Sequence, residues 1–537
     1  MRRIAALSPA PLAAALVFAL GLSAGSRAQE NTLPDMGSSA ATLLTPAEES
    51  EYGAYTLYQL RHYGYVLEDP LIDSWLDGMG HRLAAVSDRP QQDFTFFMMR
   101  DRDINAFATL GGYIGVNAGL VLTAQSEDEV AGVVSHEISH VTQRHVLRAV
   151  ERAKRDQLPI MLAMLGAIVA SQSSNSRNSS DAIPAAVVGA QALAMQRQID
   201  YTRSNESEAD RIGIQTLYRS GYNVNGMADF FERMDRATRG NSGGYQVPSY
   251  LQSHPVTTTR ISEARDRAAR LQRESPRLVS DTRPAYSPLL PASLSTMGGG
   301  SANAAPPPPM FHWARERLRV LSATSPGAAV KEYKSLSDLA SGRLSDAQRY
   351  GLALAQMKAG FPTAAETAFQ SLAKEHPDNL WIALALAETA HVAKSDDIAR
   401  ARFEELLRRN PQDRAISLSY ALVLNDIGTP QAGRRAQAVL RPLLTSSADD
   451  PLFQKNFGRA SELAGDLPRA SEAYAESAFL NGRAEDALSQ FNSLLKREDV
   501  DYIQRARIEA RIAAITPIVL DMRRQGMKPE DQGPDSG

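Results

Sequence analysis

The run His136-Glu137-Ile138-Ser139-His140 constrains this chain more than any other stretch. An HExxH sequence is chemically useful on a helix, where residues four apart stand one turn above each other and both imidazoles can reach one metal ion. The glutamate beside the first histidine is then placed to take a proton from a metal-activated water. The spacing therefore predicts a helix through 136–140, and the flanking residues predict its limits. Ser126-Glu127-Asp128-Glu129 reads as a capping box: the Ser126 hydroxyl meets the N–H three residues on, and Glu129 reaches back. Val130, Val133, Val134, Ile138 and Val141 form an apolar stripe, and the helix is expected to continue to about Lys154. His145, five residues after His140, should be rotated off the ligand face and reads as a surface or core-rim residue.

The chain of 537 residues contains no cysteine. Disulfides and thiolate ligands are thus excluded, and a metal must be held by histidine and carboxylate. Downstream, Tyr201 to Gly213 carries Glu206 and Asp210 one turn apart on one helical face, with Glu208 expected on the far side. A catalytic zinc takes three protein ligands and keeps a position open. His136, His140 and Glu206 supply that set for one Zn2+ per chain. Glu137 then acts as general base and returns its proton to the leaving amine. Asp210 completes the expected catalytic residues as an acceptor for a ligand histidine N–H, which fixes the tautomer.

The first 28 residues read as a secretory signal: Arg2-Arg3, an apolar run from about Leu12 to Leu22, and a small-x-small site ending at Ala28. An uncleaved anchor is the alternative, but the run is short for a membrane span. With 58 Lys+Arg against 61 Asp+Glu the net charge is −3, and no basic patch suggests a nucleic-acid partner. Cleavage at Ala28 implies an exported protein with at most peripheral membrane contact.

The rest divides into segments. Residues 29–41 lack periodicity and are expected to be a disordered lead-in. Helices are expected from Thr45-Pro46-Ala47-Glu48 onward and from Pro70 to Ala85. Asp93 to Arg100 reads as a buried strand. Asn105, Ala106 and Phe107 lead through Gly111-Gly112 into a second strand at Tyr113 to Val116. Such a pair could present an edge, Asn105 to Phe107, to an extended peptide substrate, or simply floor the site. Leu158 to Met195 is apolar around a Ser/Asn-rich centre and reads as a helical hairpin or a flap. Ile261 to Gln272 is a charged helix. Residues 274–310 have a Pro/Gly/Ser-rich linker composition, which separates a metallopeptidase region, 42–273, from a helical region, 311–526. A tail, 527–537, is expected to be disordered.

The helical region repeats. Pro377 and Pro411 are 34 residues apart, with Gly360 and Lys394, and Ala365 and Ala399, at matching offsets before them. Gly465 and Ala470 give a partial third copy, and Gly428 and Gly482 suggest degenerate units. That period is the tetratricopeptide signature, against a non-repetitive bundle as the alternative. The expected fold class is α+β, mainly α: a metallopeptidase domain with a small sheet, plus an all-α repeat solenoid.

Four motifs in order, Ile104 to Val116, His136 to His145, Thr202 to Gly213 and Ser253 to Arg260, followed by the repeats, closely resemble BepA-like periplasmic metallopeptidases. These are the exported branch of the HtpX and CAAX-prenyl-protease-like gluzincins. The resemblance implies Glu206 as third zinc ligand and His254, in its His-Pro context, as a fourth ligand that restrains the enzyme. Arg260 matches the arginine that ends this segment. It also implies a periplasmic zinc endopeptidase that degrades misassembled outer-membrane proteins and assists their assembly. Its repeats would dock unfolded or stalled outer-membrane clients and the β-barrel assembly machinery. The rival expectation is a chaperone-like repeat adaptor with latent or vestigial protease activity.

Overall fold

The computed structural model describes residues 44–152, 201–239, 248–274 and 310–524. The signal segment, lead-in, Leu158 to Met195 segment, linker stretch 275–309 and C-terminal tail lie outside the described residues. The architecture is α+β and mainly helical. The elements before the linker are α1 (Pro46–His62), α2 (Pro70–Ala84), β1 (Thr95–Met99), β2 (Ala106–Ala108), β3 (Tyr113–Asn117), α3 (Ala118–Thr123) and α4 (Glu127–Thr142). There follow α5 (145–152), α6 (201–219), α7 (Gly226–Arg239), α8 (Ser249–Ser253) and α9 (Thr258–Glu274).

The three strands form one mixed sheet in the order β1-β3-β2. β1 runs parallel to β3, with Thr95 opposite Tyr113, and β2 runs antiparallel to it, with Ala106 opposite Val116. The expected strand pair is therefore three strands, because Asn105 to Ala108 pairs in its own right. The turn between β2 and β3 needs φ of 73° at Gly111 and 88° at Gly112, a region that side chains disfavour. The outer side of β1 is covered, since Leu67 N–H donates to Met98 O at 2.8 Å and Arg100 N–H to Tyr65 O at 2.8 Å. β2 is the opposite rim.

Two expectations for the HExxH helix are corrected. It ends at Thr142 rather than near Lys154, and a new helix starts at 145 after a break at Gln143-Arg144, where Arg144 has φ 54°. Only half of the capping box forms. Ser126 accepts from Glu129 N–H at 3.3 Å, but Glu129 accepts from Gln125 N–H at 3.0 Å and pairs with Arg233 at 2.7 Å. The Arg233 guanidinium on α7 draws the carboxylate outward, so the same side chain braces α4 against α7.

The remaining helices are α10 (Phe311–Leu321), α11 (Pro326–Leu339), α12 (Asp346–Lys358), α13 (Pro362–Glu375), α14 (Leu380–Val392) and α15 (Asp396–Arg409). They continue as α16 (Arg414–Ile427), α17 (Pro430–Leu440), α18 (Pro451–Ala464), α19 (Leu467–Leu480), α20 (Ala484–Leu495) and α21 (Tyr502–Arg524). From α12 onward each helix packs against the next. Gly360, Lys394 and Gly428, spaced by 34, all take positive φ, at 87°, 61° and 74°. The chain thus turns back on itself at the same phase in successive units, even where the residue is lysine. Phe369 and Phe403, also 34 apart, are fully buried, and each such side chain contributes about 1.5–3 kcal/mol.

α10 couples this array to the first half. Its Phe311 packs on Trp75 of α2 with ring centroids 6.4 Å apart. Its Arg317 is buried and meets both oxygens of Asp69 at 2.8 and 2.7 Å. Asp69 also caps α2 through Ile72 N–H, so one carboxylate starts a helix and fixes its neighbour. Arg102 reaches Ser322 at 3.0 Å and Glu332 at 2.9 Å. A single apolar core runs through both halves, from Leu67 to Ala473. Among the described residues no helix is long and apolar enough to cross a membrane.

Candidate metal centre

α4 places His136 and His140 one turn apart, with His136 fully buried and the His140 side chain 12% exposed. α6 crosses α4 at close range because Gly213 lacks a side chain: a Cβ there would stand 3.2 Å from the His136 backbone. This crossing brings Glu206 up to the two imidazoles. Its oxygens lie 3.4 Å from His136 Nε2 and 3.4 Å from His140 Nε2, and the two Nε2 atoms are 3.0 Å apart. His254, at the end of α8, adds Nδ1 at 2.9 Å from Glu206 Oε1 and 3.4 Å from His136 Nε2. One ligand atom from each of these four residues lies within 4.8 Å of all the others.

Imidazole nitrogens and carboxylate oxygens about 2.0–2.2 Å from a tetrahedral ion lie roughly 3.3 Å from one another. The observed separations fit that shell. Beside it Glu137 is 1% exposed, and among the described residues its Oε1 makes no hydrogen bond, with only His254 Nε2 at 3.8 Å, an expensive state for a buried carboxylate unless something is meant to meet it. The donor set therefore suits a divalent ion with imidazole and carboxylate ligands.

The electrostatics follow from burial and mutual contact. Burial raises the Glu137 carboxyl above its ordinary value, with His254 and His136 opposing. Burial lowers His140, and the neighbouring His136 and His254 reinforce this, leaving it at about 3 despite Glu206. For His136 burial is outweighed by Asp210 and Glu206, which hold it at about 10. Glu206 is held far below the carboxylate range: burial is overcome by the neighbouring imidazoles of His136, His140 and His254.

Asp210 stands where the sequence places it, one turn beyond Glu206, with Oδ1 2.9 Å from His136 Nδ1. Its other contacts were not foreseen. Arg260 grips Asp210 through two 2.8 Å bonds and reaches Glu206 at 2.9 Å, while lying 4.8 Å over the Phe231 ring. In sequence Arg260 is marked only as the end of the His254 segment, and its carboxylate partners, on a helix about 50 residues earlier, carry no local signal.

His145 and Glu208 also depart from expectation. The break at Arg144 turns His145 inward to 3% exposure, with Nδ1 2.9 Å from His140 Nδ1 and Nε2 3.1 Å from Glu208 Oε2. Glu208 does not face away, because α5 comes round to meet it, and Arg148 joins at 2.9 Å. His145 chiefly, with Arg148, holds the Glu208 carboxyl at about 2. Asn105, Ala106 and Phe107 lie at the β2 rim. Ile104 O there accepts from Tyr250 N–H at 3.2 Å, which ties the rim to the segment carrying His254. Tyr250 stacks on the His254 ring at 4.9 Å.

A helix-borne histidine pair, a carboxylate from a crossing helix and a buried glutamate beside them define a metallopeptidase. Residues 70–268 match the model of peptidase family M48. The chain is 30% identical over 485 residues to the beta-barrel assembly-enhancing protease of Escherichia coli K12, covering 90% of this chain and 91% of that one. It is 28% identical over 510 residues to the Yersinia pestis protein of the same name, covering 94% and 96%. A putative beta-barrel assembly-enhancing protease of Vibrio cholerae is 36% identical over 348 residues, 65% of this chain and 64% of its own length. The chain belongs to the M48 metallopeptidase family, in the branch of these relatives.

Proposed function

We propose that this protein is a periplasmic zinc endopeptidase that degrades misassembled outer-membrane proteins and assists their assembly. The observation that carries the reading is Glu137, buried beside a four-residue donor cluster with an oxygen that makes no hydrogen bond among the described residues. The likeness to assembly-enhancing proteases over most of the chain supplies the substrate class.

His136, His140 and Glu206 would hold one Zn2+, which would supply Lewis acidity toward a peptide carbonyl and a water. Glu137, its carboxyl raised by burial, takes the proton and returns it to the leaving amine. Asp210 holds the His136 tautomer, and Arg260 holds Asp210. An extended client adds to the β2 rim at Asn105 to Phe107, where backbone pairing gives affinity without demanding a fixed sequence.

The chain works as an exported peptidase region, 42–273, followed by a tetratricopeptide solenoid, 311–526, that docks clients and the β-barrel assembly machinery. A cleaved signal peptide, Met1 to Ala28, directs export. One observation favours a second reading, an assembly adaptor with latent proteolysis: His254 joins the donor cluster and fills the position that catalysis needs open.

The test is Glu137→Gln. Metal content should be unchanged while cleavage of an unfolded outer-membrane protein falls by about 10²- to 10⁴-fold. Crosslinking in cells carrying the variant should trap clients and assembly machinery together. Wild-type cleavage by the variant would sink the peptidase reading, and a full assembly phenotype without cleavage would favour the adaptor.

A further inference from the structure

The two ligand histidines of α4 are supported differently on their outer sides. His136 Nδ1 meets the Asp210 carboxylate directly at 2.9 Å. Among the described residues His140 Nδ1 has no carboxylate beside it and instead meets His145 Nδ1 at 2.9 Å, whose Nε2 lies 3.1 Å from Glu208 Oε2. We propose that His145 and Glu208 are positioning residues for the metal, an imidazole-extended carboxylate support that fixes the tautomer and tilt of His140. The proposal rests on the metal-site reading above.

The proton directions are forced once His140 Nε2 serves as a metal ligand and so carries no proton. Its Nδ1 then carries the proton and donates to His145 Nδ1, which must be bare. His145 therefore carries its own proton on Nε2 and donates it to Glu208. Each nitrogen has one role, and no other arrangement satisfies both contacts. Arg148, 2.9 Å from the same Glu208 oxygen, keeps that carboxylate aimed at His145.

The backbone supports the same assignment. On a continuous helix, residues five apart are rotated by about 140°, and the imidazoles could not touch. The break places Arg144 at φ 54°, a region that a residue with a side chain seldom occupies. The unfavoured turn brings His145 back under His140 and ends α4 one residue pair after its second ligand. Ligand-supporting partners of this kind typically contribute 10- to 100-fold in metal affinity.

The experiment uses the full mature chain, Zn2+ and a competing chromophoric chelator. His145→Leu should weaken Zn2+ binding about 10- to 100-fold, His145→Gln, which keeps an acceptor, should recover most of it, and Glu208→Gln should fall between. In the Zn2+-loaded wild type, a hydrogen-bonded His140 Nδ1 proton resonance should appear and should vanish in Glu208→Gln or shift strongly. Thermal midpoints of the metal-free variants separate a merely structural effect, which would follow stability rather than affinity. Wild-type affinity in both His145→Leu and Glu208→Gln overturns the proposal. Should His145→Leu fail to fold, unchanged affinity and resonance in Glu208→Gln overturn it alone. A wild-type protein that binds no stoichiometric Zn2+ removes the metal-site reading and this inference together.

Discussion

Around His136 the ionisable groups are buried and share one another's charge, whereas along the helices after Pro326 they lie mostly at the surface, paired between neighbouring helices. His136, Glu137, Glu206 and Asp210 are each at most 3% exposed. In the array, Arg402 pairs with Glu366, Arg435 with Glu404 and Arg511 with Glu476, all on partly or fully exposed side chains. Even the group Asp346, Glu375 and His376, which could be mistaken for a second metal site, is open to solvent and is neutralised by Arg349. Burying a charge is costly and is tolerated where partners or a ligand compensate it. The contrast separates a region shaped by chemistry from one shaped by packing.

The seam between the halves is the exception, and it offers the largest test. Arg317 of α10 is 4% exposed and lies against Asp69, with Glu388 at 3.3 Å. Arg317→Met should destabilise the protein by about 3–5 kcal/mol, because Asp69 is left charged and buried. Adding Asp69→Asn should restore most of that loss, since asparagine still caps α2 and carries no charge. Urea unfolding of both variants measures this. A loss below about 1 kcal/mol in the single variant would place the seam with the surface pairs and erase the exception.

A smaller effect is expected inside the centre. His254→Ala should raise peptidase activity about tenfold, equivalent to about 1.4 kcal/mol of restraint, with Zn2+ still bound by His136, His140 and Glu206. Initial rates on an unfolded client check it. An equal or lower rate would mean that His254 is no plug, and that its burial beside Glu206 has another use.

Legibility divides along the same line. The HExxH geometry, the Glu206-Asp210 spacing and the 34-residue phase were readable, because helix periodicity is local and survives without tertiary knowledge. The turn at Lys394 shows the strength of that signal: the phase predicts a turn where the residue type does not. What escaped depends on contacts distant in sequence or on backbone states that residue identity hides. Arg144 carries no glycine-like mark, so helix periodicity alone runs through it and points His145 outward. Arg260 and Arg317 look like ordinary helical arginines until the carboxylates that hold them, 50 and 248 residues away, are placed.

The smallest effect is expected on the outer face of the last helices. Arg511 meets both oxygens of Glu476 at 2.6 Å across α21 and α19, and its guanidinium lies 4.9 Å over the Phe479 ring. The geometry is good, yet the Arg511 side chain is 33% exposed, so water and salt screen the pair. Arg511→Ala should therefore cost no more than about 1 kcal/mol, and much of that cost should disappear in 1 M salt. A loss of 3 kcal/mol, insensitive to salt, would show that the array also relies on charge in the manner of the seam. The stacking on Phe479 provides the control: Arg511→Lys keeps the charge but loses the flat guanidinium, and should behave almost as the alanine variant if the planar contact matters more than the ion pair.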